Sequence, residues 1–530
     1  MNKLKRAMAV LVAFALVSML FAGCGSKQDA KSSQSSDQSQ SGKPAQKITL
    51  KMLKGKAAHE VPLDQMDVFK AYEEKTNIHV QWDSPPAENY LERYNLVMAS
   101  GDLPDVIMDM PRGDLIKYAQ MGAIIPLNDL IEKSSPNLKS WMQKRPEIKK
   151  DITGKDGKIF YFPMFDELPL GNNALGLRED WLKKLNLQIP VTPDEWYTVL
   201  KAFKEKDPNG NGKADEIPFS GNGINMARSL VSAWGVLDTF YTEPKDGGKV
   251  HYGPIEGKYK EALAWIAKLY KEGLIDSEIA TNDEKAFQGK MGQNVVGAFR
   301  GAFGGHFSAF NSTLPKQIPG FKITGTPPMK GPYGDQVHAN LDLSTRSTIA
   351  AVITKSNKYQ EATTKWIDYF YGQEGALLMN FGIEGKHYTM QNGQPIYTDL
   401  VLKNPNGLSS KQVRGSFSIT QSTGTYVLLK AQSDQVDDPA VKEIKSKYLE
   451  PYIPEAKKFV LPNISFDQKD DEVRRQVMAD VQTYVDEMIT KFILGTEPLD
   501  NWDKYVQKVK GMGIDKAIAV YQKTVDDYKK

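Results

Sequence analysis

Between Asp207 and Glu216 the chain reads Asp-Pro-Asn-Gly-Asn-Gly-Lys-Ala-Asp-Glu, with oxygen-bearing side chains at loop positions 1, 3, 5 and 9. Gly212 at position 6 permits the tight turn, and Lys213 at position 7 can offer its backbone carbonyl, which is how an EF-hand loop surrounds calcium. Carboxylates and amides are hard donors and suit that ion better than the softer transition metals. Position 12 is Pro218 rather than the usual bidentate Glu, so Glu216 at position 10 is the substitute. Asp207, Asn209, Asn211, Lys213, Asp215 and Glu216 are therefore the candidate Ca2+ ligands. The expected role is structural, pinning a loop. The plainer alternative is an Asn-Gly surface turn without metal, since the same residues favour turns.

Cys24, the only cysteine in 530 residues, follows a basic start (Lys3, Lys5, Arg6) and an apolar run from Ala7 to Ala22. A charged beginning, a short apolar stretch and small residues before a cut are the layout of a secretory signal, too short for a spanning helix. Leu20-Phe21-Ala22-Gly23-Cys24 resembles the bacterial lipobox, with Phe21 where Leu is usual. That makes Cys24 the lipid attachment point, carrying palmitate-type acyl chains, and residues 1–23 the signal peptide. The alternative is an ordinary cleaved signal with a chance cysteine. Residues 24–47 carry almost nothing apolar and cannot offset their ordering entropy, so they read as a disordered tether with a reach of roughly 25–30 Å. The expected location is the extracellular face of the cell membrane, held there by the lipid anchor.

The formal charge of +3 is matched by the three basic residues of the signal, so the mature chain is near neutral. That excludes a long-range basic field for nucleic acid. Roughly 480 residues remain after the tether, too many for one hydrophobic core, so at least two lobes are expected. From Ile48 the pattern alternates between periods of two and 3.6. It predicts strands at 48–53, 78–82 and 105–110, with helices at 63–75 and 88–100 between them. Such an opening implies a parallel sheet, and ligands bind beyond the carboxyl ends of such strands. Trp82, Asp83 and Asp109 are site candidates on that ground. Further on, Thr192-Pro193-Asp194-Glu195 reads as a capping box that starts a helix running to about Glu205.

Several segments together carry a resemblance. GDLPDV (101–106), DGKIFYFP (156–163), REDWLKKL (178–185), DPNGNGKADEIP (207–218), GIEGKHY (382–388) and NWDKYVQKVKGMGIDKAIAVYQ (501–522) resemble the family 1 extracellular solute-binding lipoproteins of bacterial ABC importers. The likeness is greatest to the subgroup that includes the alginate-oligosaccharide-binding proteins, and it spans nearly the whole mature chain. It implies an α/β fold of the two-lobed, periplasmic-binding-protein type (type II), with discontinuous lobes that close about a hinge. The expected lobes are 48–168 with 340–400, and 169–339 with 401–530. It also implies calcium at the loop 207–216, with Lys213 contributing its carbonyl, an oligosaccharide as ligand, ABC permease subunits as partners, and a monomer.

A sugar presents apolar C–H faces that pack on aromatic rings and hydroxyls that need fixed polar partners. The chain's 8 Trp and 23 Tyr are compatible with such a cleft. Trp234, Arg300 at the end of the strand-like NVVGAFR, Phe303 in a Gly-rich loop, and Tyr388 join Trp82, Asp83 and Asp109 as ligand-binding candidates. Trp181, Trp196, Trp265 and Trp366 lie at helical spacing among apolar neighbours and read as core. GAFRGAFGGHF (297–307) lacks the Walker lysine and the Rossmann order of glycines, so it reads as a loop near ligand or hinge. DQKDDEVRR (467–475) reads as the solvated start of a helix. Two other classes compete with the transport reading. One is a receptor that presents its ligand to a membrane sensor, and the other is a secreted glycan-cleaving enzyme. The six His are scattered singly, with no HExxH, no GxSxG and no thiol nucleophile in the mature body, so no catalytic residue is assigned.

Overall fold

In the computed structural model, which describes residues 47–167, 171, 173–338, 349–420 and 424–529, the opening alternation folds as β1 (Ile48–Leu53), β2 (Ile78–Asp83) and β3 (Val106–Met110). Between them lie the helices Asp67–Thr76 and Tyr90–Ser100. Each ends on a left-handed residue, Asn77 (φ 55°) and Gly101 (φ 73°), which turns the chain back toward the sheet. The expected helical segments are each divided, with a separate 3-10 turn at Leu63–Gln65 and at Ala87–Asn89.

After β4 (Phe162–Pro163) the chain leaves this sheet to build β5 (Asn173–Arg178), β6 (Ile217–Ser220), β7 (Val296–Ala302) and β8 (Ile323–Gly325). It then returns as β9 (Ile349–Ile353). The strand orders are β2-β1-β3-β9-β4 and β8-β5-β7-β6. β1 pairs in parallel with β2 and β3, whereas β9 runs antiparallel to β3 and β4, so the sheet is mixed rather than wholly parallel. All five residues of β9 are buried. An inner strand covered on both faces needs that unbroken apolar run.

One core gathers around β1–β4 and β9, and a second gathers residues of 177–337 with the C-terminal helices. A smaller cluster lies around Phe287, Phe299, Phe307 and Ile444. The segment 401–427, expected with the second lobe, packs into the first core through Val401, Phe417, Ile419 and Val427. Strand pairing draws it there, since Val427 lies beside Phe165 and accepts a hydrogen bond from Asn380 Nδ2 (2.8 Å).

Three further expectations meet the structure. Thr192 and Glu195 form the reciprocal capping box and start the helix Pro193–Glu205. β7 continues through Ala302, and Phe303–Ser308 is a π-helical turn rather than an open loop. Gly301 is required there, because a Cβ would lie 2.8 Å from the His306 ring, whose Nδ1 accepts from Ala302 N. Asp470 and Asp471 are buried rather than solvated at the start of the helix Gln468–Leu494. Asp470 accepts from Lys523 (2.7 Å) and Lys155 (3.4 Å), and Asp471 from Arg474 (2.6 Å). Lys155 stands near β4, so this cluster ties the C-terminal helices to the first core. Trp181, Trp196 and Trp366 are core residues and Trp265 is partly buried. Among the described residues no helix is long and apolar enough to cross a membrane. Cys24, the signal and the tether lie outside the described residues.

Candidate functional site

The carboxyl ends of β1 and β3 bring Lys54 and Asp109 together. Lys54 Nζ donates to Asp109 Oδ2 at 2.7 Å, with the lysine side chain wholly buried. Asp109 adopts a left-handed backbone (φ 63°), and its Oδ1 is buried without a hydrogen-bond partner. Asp is among the few non-glycine residues that tolerate this conformation, and such strain is concentrated where a side chain must be aimed. Next to it, Arg112 donates to the Tyr161 hydroxyl (3.1 Å), with its guanidinium 5.5 Å from that ring's centre. At the end of β2, Trp82 lies against Phe69 (4.9 Å) at the rim of the first core, and Asp83 forms a surface ion pair with Arg93 (2.6 Å).

In the second sheet, Arg300 on β7 stands opposite Leu175 of β5. With Asn173, Ser229, Ser232 and His338 it lines a recess of about 20 Å³. Burial lowers the Arg300 guanidinium to about 10, with no carboxylate among the described residues to counter it. His338 Nε2 donates to the Tyr448 carbonyl (3.1 Å). Burial, aided by the nearby Arg300 charge, depresses this imidazole to about 4 and so keeps it neutral at neutral pH.

The loop after the helix Pro193–Glu205 takes the tight course its glycines allow, with Gly210 and Gly212 at φ 74° and 76°. Asp207 Oδ1 accepts from Gly210 N (2.9 Å) and Asn211 N (3.1 Å), and its Oδ2 from Gly212 N (3.1 Å). Asn209 and Asn211 turn their amide nitrogens to Asp215. The Asn211 Oδ1 accepts from Lys213 N (2.8 Å). Both carboxylate oxygens of Glu216 are buried and unpartnered. Burial first, against the opposing pull of the nearby Glu216 and Asn209 backbone N–H groups, and then the charges of Asp207 and Asp215 raise its pKa, although neither N–H makes a well-formed hydrogen bond to it. An orphaned carboxylate beside two others is a donor set that fits a hard dication. Among the described residues no three His, Cys, Asp or Glu side chains already converge as a metal-ligating group, so the carboxylates are neighbours rather than a closed cage.

The structure brings Asp109 to a strand end with Lys54, and Arg300 to a recess in the other sheet. It does not bring all seven ligand candidates together. Trp234 (6% exposed) lies against Trp265 (5.6 Å), Phe303 (3%) against Phe307 (5.6 Å) and Tyr388 (6%) against Phe381 (5.7 Å). These three rings pack in the core and expose little of their surface. Sequence reasoning missed Lys54, Arg112, Asn173 and Ser232. Lys54 directly follows β1, and the strand-end rule that found Asp109 could have found it. A cavity of about 530 Å³ also lies between Arg112 and Phe160 near the first core and Asn463, Phe466 and Tyr521 by the second. Nothing in the local pattern signals it, because its walls are some 300 residues apart in the chain.

Residues 40–377 match the bacterial extracellular solute-binding proteins as a family. The chain is 30% identical over 545 residues to the fructooligosaccharide ABC transporter substrate-binding protein FusA of Streptococcus pneumoniae, covering 98% of this chain and 97% of that one. Its fold matches the alginate-binding protein AlgQ2 solved without calcium ion, with a TM-score of 0.75 and 30% identity over 91% of this chain and 98% of that one. It likewise matches an EF-hand mutant of FusA in complex with fructo-nystose, with a TM-score of 0.74 and 28% identity over 91% and 99%. The family match and the full-length likeness agree with two sheets on two cores, and the chain belongs to the bacterial extracellular solute-binding proteins.

Proposed function

We propose that this chain captures a carbohydrate outside the cell and delivers it to an ABC importer. The observation that carries this reading is the pair of separate cores joined by three crossings of the chain, combined with a relative of matching length that serves a fructooligosaccharide transporter. The lobes are 48–168 with 340–427, and 169–339 with the remainder, each presenting polar strand-end groups to a shared cleft. The candidate polar groups are Asp109 and Arg112 of one lobe and Asn173, Ser232 and Arg300 of the other, with Lys54 wholly buried against Asp109. Contacts from both lobes are complete only when they close, so ligand shifts the population toward the closed form. Cys24 anchors the monomeric protein to the outer membrane face through its acyl chains. The fit to a receptor rather than an enzyme rests on the relatives being substrate-binding proteins.

Asp207, Asn209, Asn211, Asp215 and Glu216, with the Lys213 carbonyl, would hold Ca2+ in a structural role. The ion supplies positive charge to a loop whose carboxylates otherwise repel one another. The protein residues fix the turn and orient the oxygens. A thermal-shift screen of the mature chain against oligosaccharides tests the transport reading. A sugar at 100 times its Kd adds about 2.7 kcal/mol of stability. A hit recovered uncut supports capture, whereas cleavage products or indifference to every saccharide would sink it.

A further inference from the structure

The cavity of about 530 Å³ between the two cores has walls that neither core takes up in full. Ile116 and Phe160 line it on the side of the first core, and Leu461, Ile464, Phe466 and Tyr521 on the side of the second. All six are half-buried. Among the described residues Ile116 and Phe466 belong to none of the three apolar clusters, although each is partly withdrawn from water. Phe466 meets Tyr521 edge-on (ring centres 5.0 Å apart) and the Arg474 guanidinium (5.0 Å), and otherwise lines the cavity. Apolar surface that is neither fully solvated nor packed forfeits dispersion contacts, and an apolar occupant restores them.

The ions of the wall are matched where they stand. Arg474 pairs with Asp471 (2.6 Å), Lys155 with Asp470 (3.4 Å) and Lys158 with Asp156 (3.6 Å), while Arg112 is engaged by the Tyr161 hydroxyl and ring. A charged ligand would lose its hydration here and find its counter-ions already taken, so the favoured occupant is uncharged. A sugar fits poorly as well, because its many hydroxyls each need a polar partner and this wall is largely apolar. Of the cleft groups Asp109, Arg112, Asn173, Ser232 and Arg300, only Arg112 also lines the cavity. An apolar cavity of about 150 Å³ holds one benzene, so the volume here suits two or three rings. Exposed Gln120 and Gln468 at the rim can meet one polar group of such a molecule.

From these features we infer that the cavity is a second ligand site, apart from the carbohydrate cleft, which takes an uncharged apolar molecule of two or three rings. The test is fluorescence titration of the mature chain with N-phenyl-1-naphthylamine, an uncharged dye that brightens out of water, beside its anionic relative 1-anilinonaphthalene-8-sulfonate. The uncharged dye should saturate a single site with a Kd of about 1–100 µM, as its size allows. The sulfonate should bind at least about tenfold more weakly, since no free counter-ion repays its desolvation. Ile116→Trp, which fills the cavity, and Phe466→Ser, which removes an apolar face, should each weaken the uncharged dye about tenfold or more. Leu91→Ser, on a helix surface where Leu91 is 58% exposed, should leave binding unchanged. Melting curves accompany each variant, and if Ile116→Trp melts well below the parent, Phe466→Ser alone decides. Absence of saturable binding, or binding that survives Phe466→Ser, overturns the inference. So does an equal loss in Leu91→Ser, which marks adhesion to exposed apolar surface, and so does a sulfonate that binds as tightly as the uncharged dye. None of these results bears on carbohydrate capture, whose own test is independent.

Discussion

Replacing Glu216 by Gln should change the sign of its effect on stability with the buffer. Both Glu216 oxygens are buried and unpartnered, and burial raises its pKa. The carboxylate is therefore strained at neutral pH whenever no cation is bound. A fully buried polar group without a partner costs about 1–3 kcal/mol, and for the half-buried Glu216 solvent screening trims the penalty of its charge toward the lower end. The amide removes the charge but not the polarity, so in chelator Glu216→Gln should gain toward the lower end, about 1 kcal/mol. The pH slope agrees in sign. A folded pKa above the unfolded value contributes stability that is full below the unfolded pKa and lost as pH rises through the folded one. In chelator the parent should therefore soften from about pH 4.5 upward, and the variant should lack that component. With Ca2+ at 100 times its Kd the parent gains about 2.7 kcal/mol. The variant, short of one ligand oxygen, should gain far less and become the weaker protein. Melting both in EGTA and in calcium chloride reads this crossing directly. Equal destabilisation in both buffers, or a parent indifferent to calcium, would refute the metal assignment.

Lys54→Met should cost about 3–5 kcal/mol in urea unfolding, because Asp109 would keep its charge without its partner. Adding Asp109→Asn should restore part of that loss, and a single-variant cost below about 1 kcal/mol would contradict a tightly coupled pair. Burial depresses both His338 and His387 to about 4. The stability they carry is complete above about pH 6.5 and is lost as the pH falls toward 4. The double variant His338→Gln/His387→Gln should melt with a shallower acid decline, and an unchanged slope would show that other groups set it. Cys24→Ser should abolish acyl labelling and send the protein into the medium, whereas continued membrane retention would point to another anchor.

The elements nearest the start of the body were legible because their signals are local. The strand-like runs at 48–53 and 106–110, and the cap at Thr192 with Glu195, need no knowledge of distant residues. What could not be read was decided by contacts across hundreds of positions. Asp470 looked like the solvated start of a helix until Lys155, 315 residues earlier, arrived beside it. The stretch 401–427 joined the first core because Val427 pairs with Phe165, and β9 turned the sheet from parallel to mixed by running against β3.

The same distinction explains why residue type says more about a charged candidate than about an aromatic one. An aromatic ring lowers its free energy equally by packing on a sugar or on another ring, so its type carries little information about which will happen. Trp234, Phe303 and Tyr388 were satisfied by Trp265, Phe307 and Phe381. A buried charge has no such freedom, since without an opposite charge it loses more in desolvation than packing returns. Lys54 meets that requirement within the protein through Asp109, whereas Arg300 does not among the described residues.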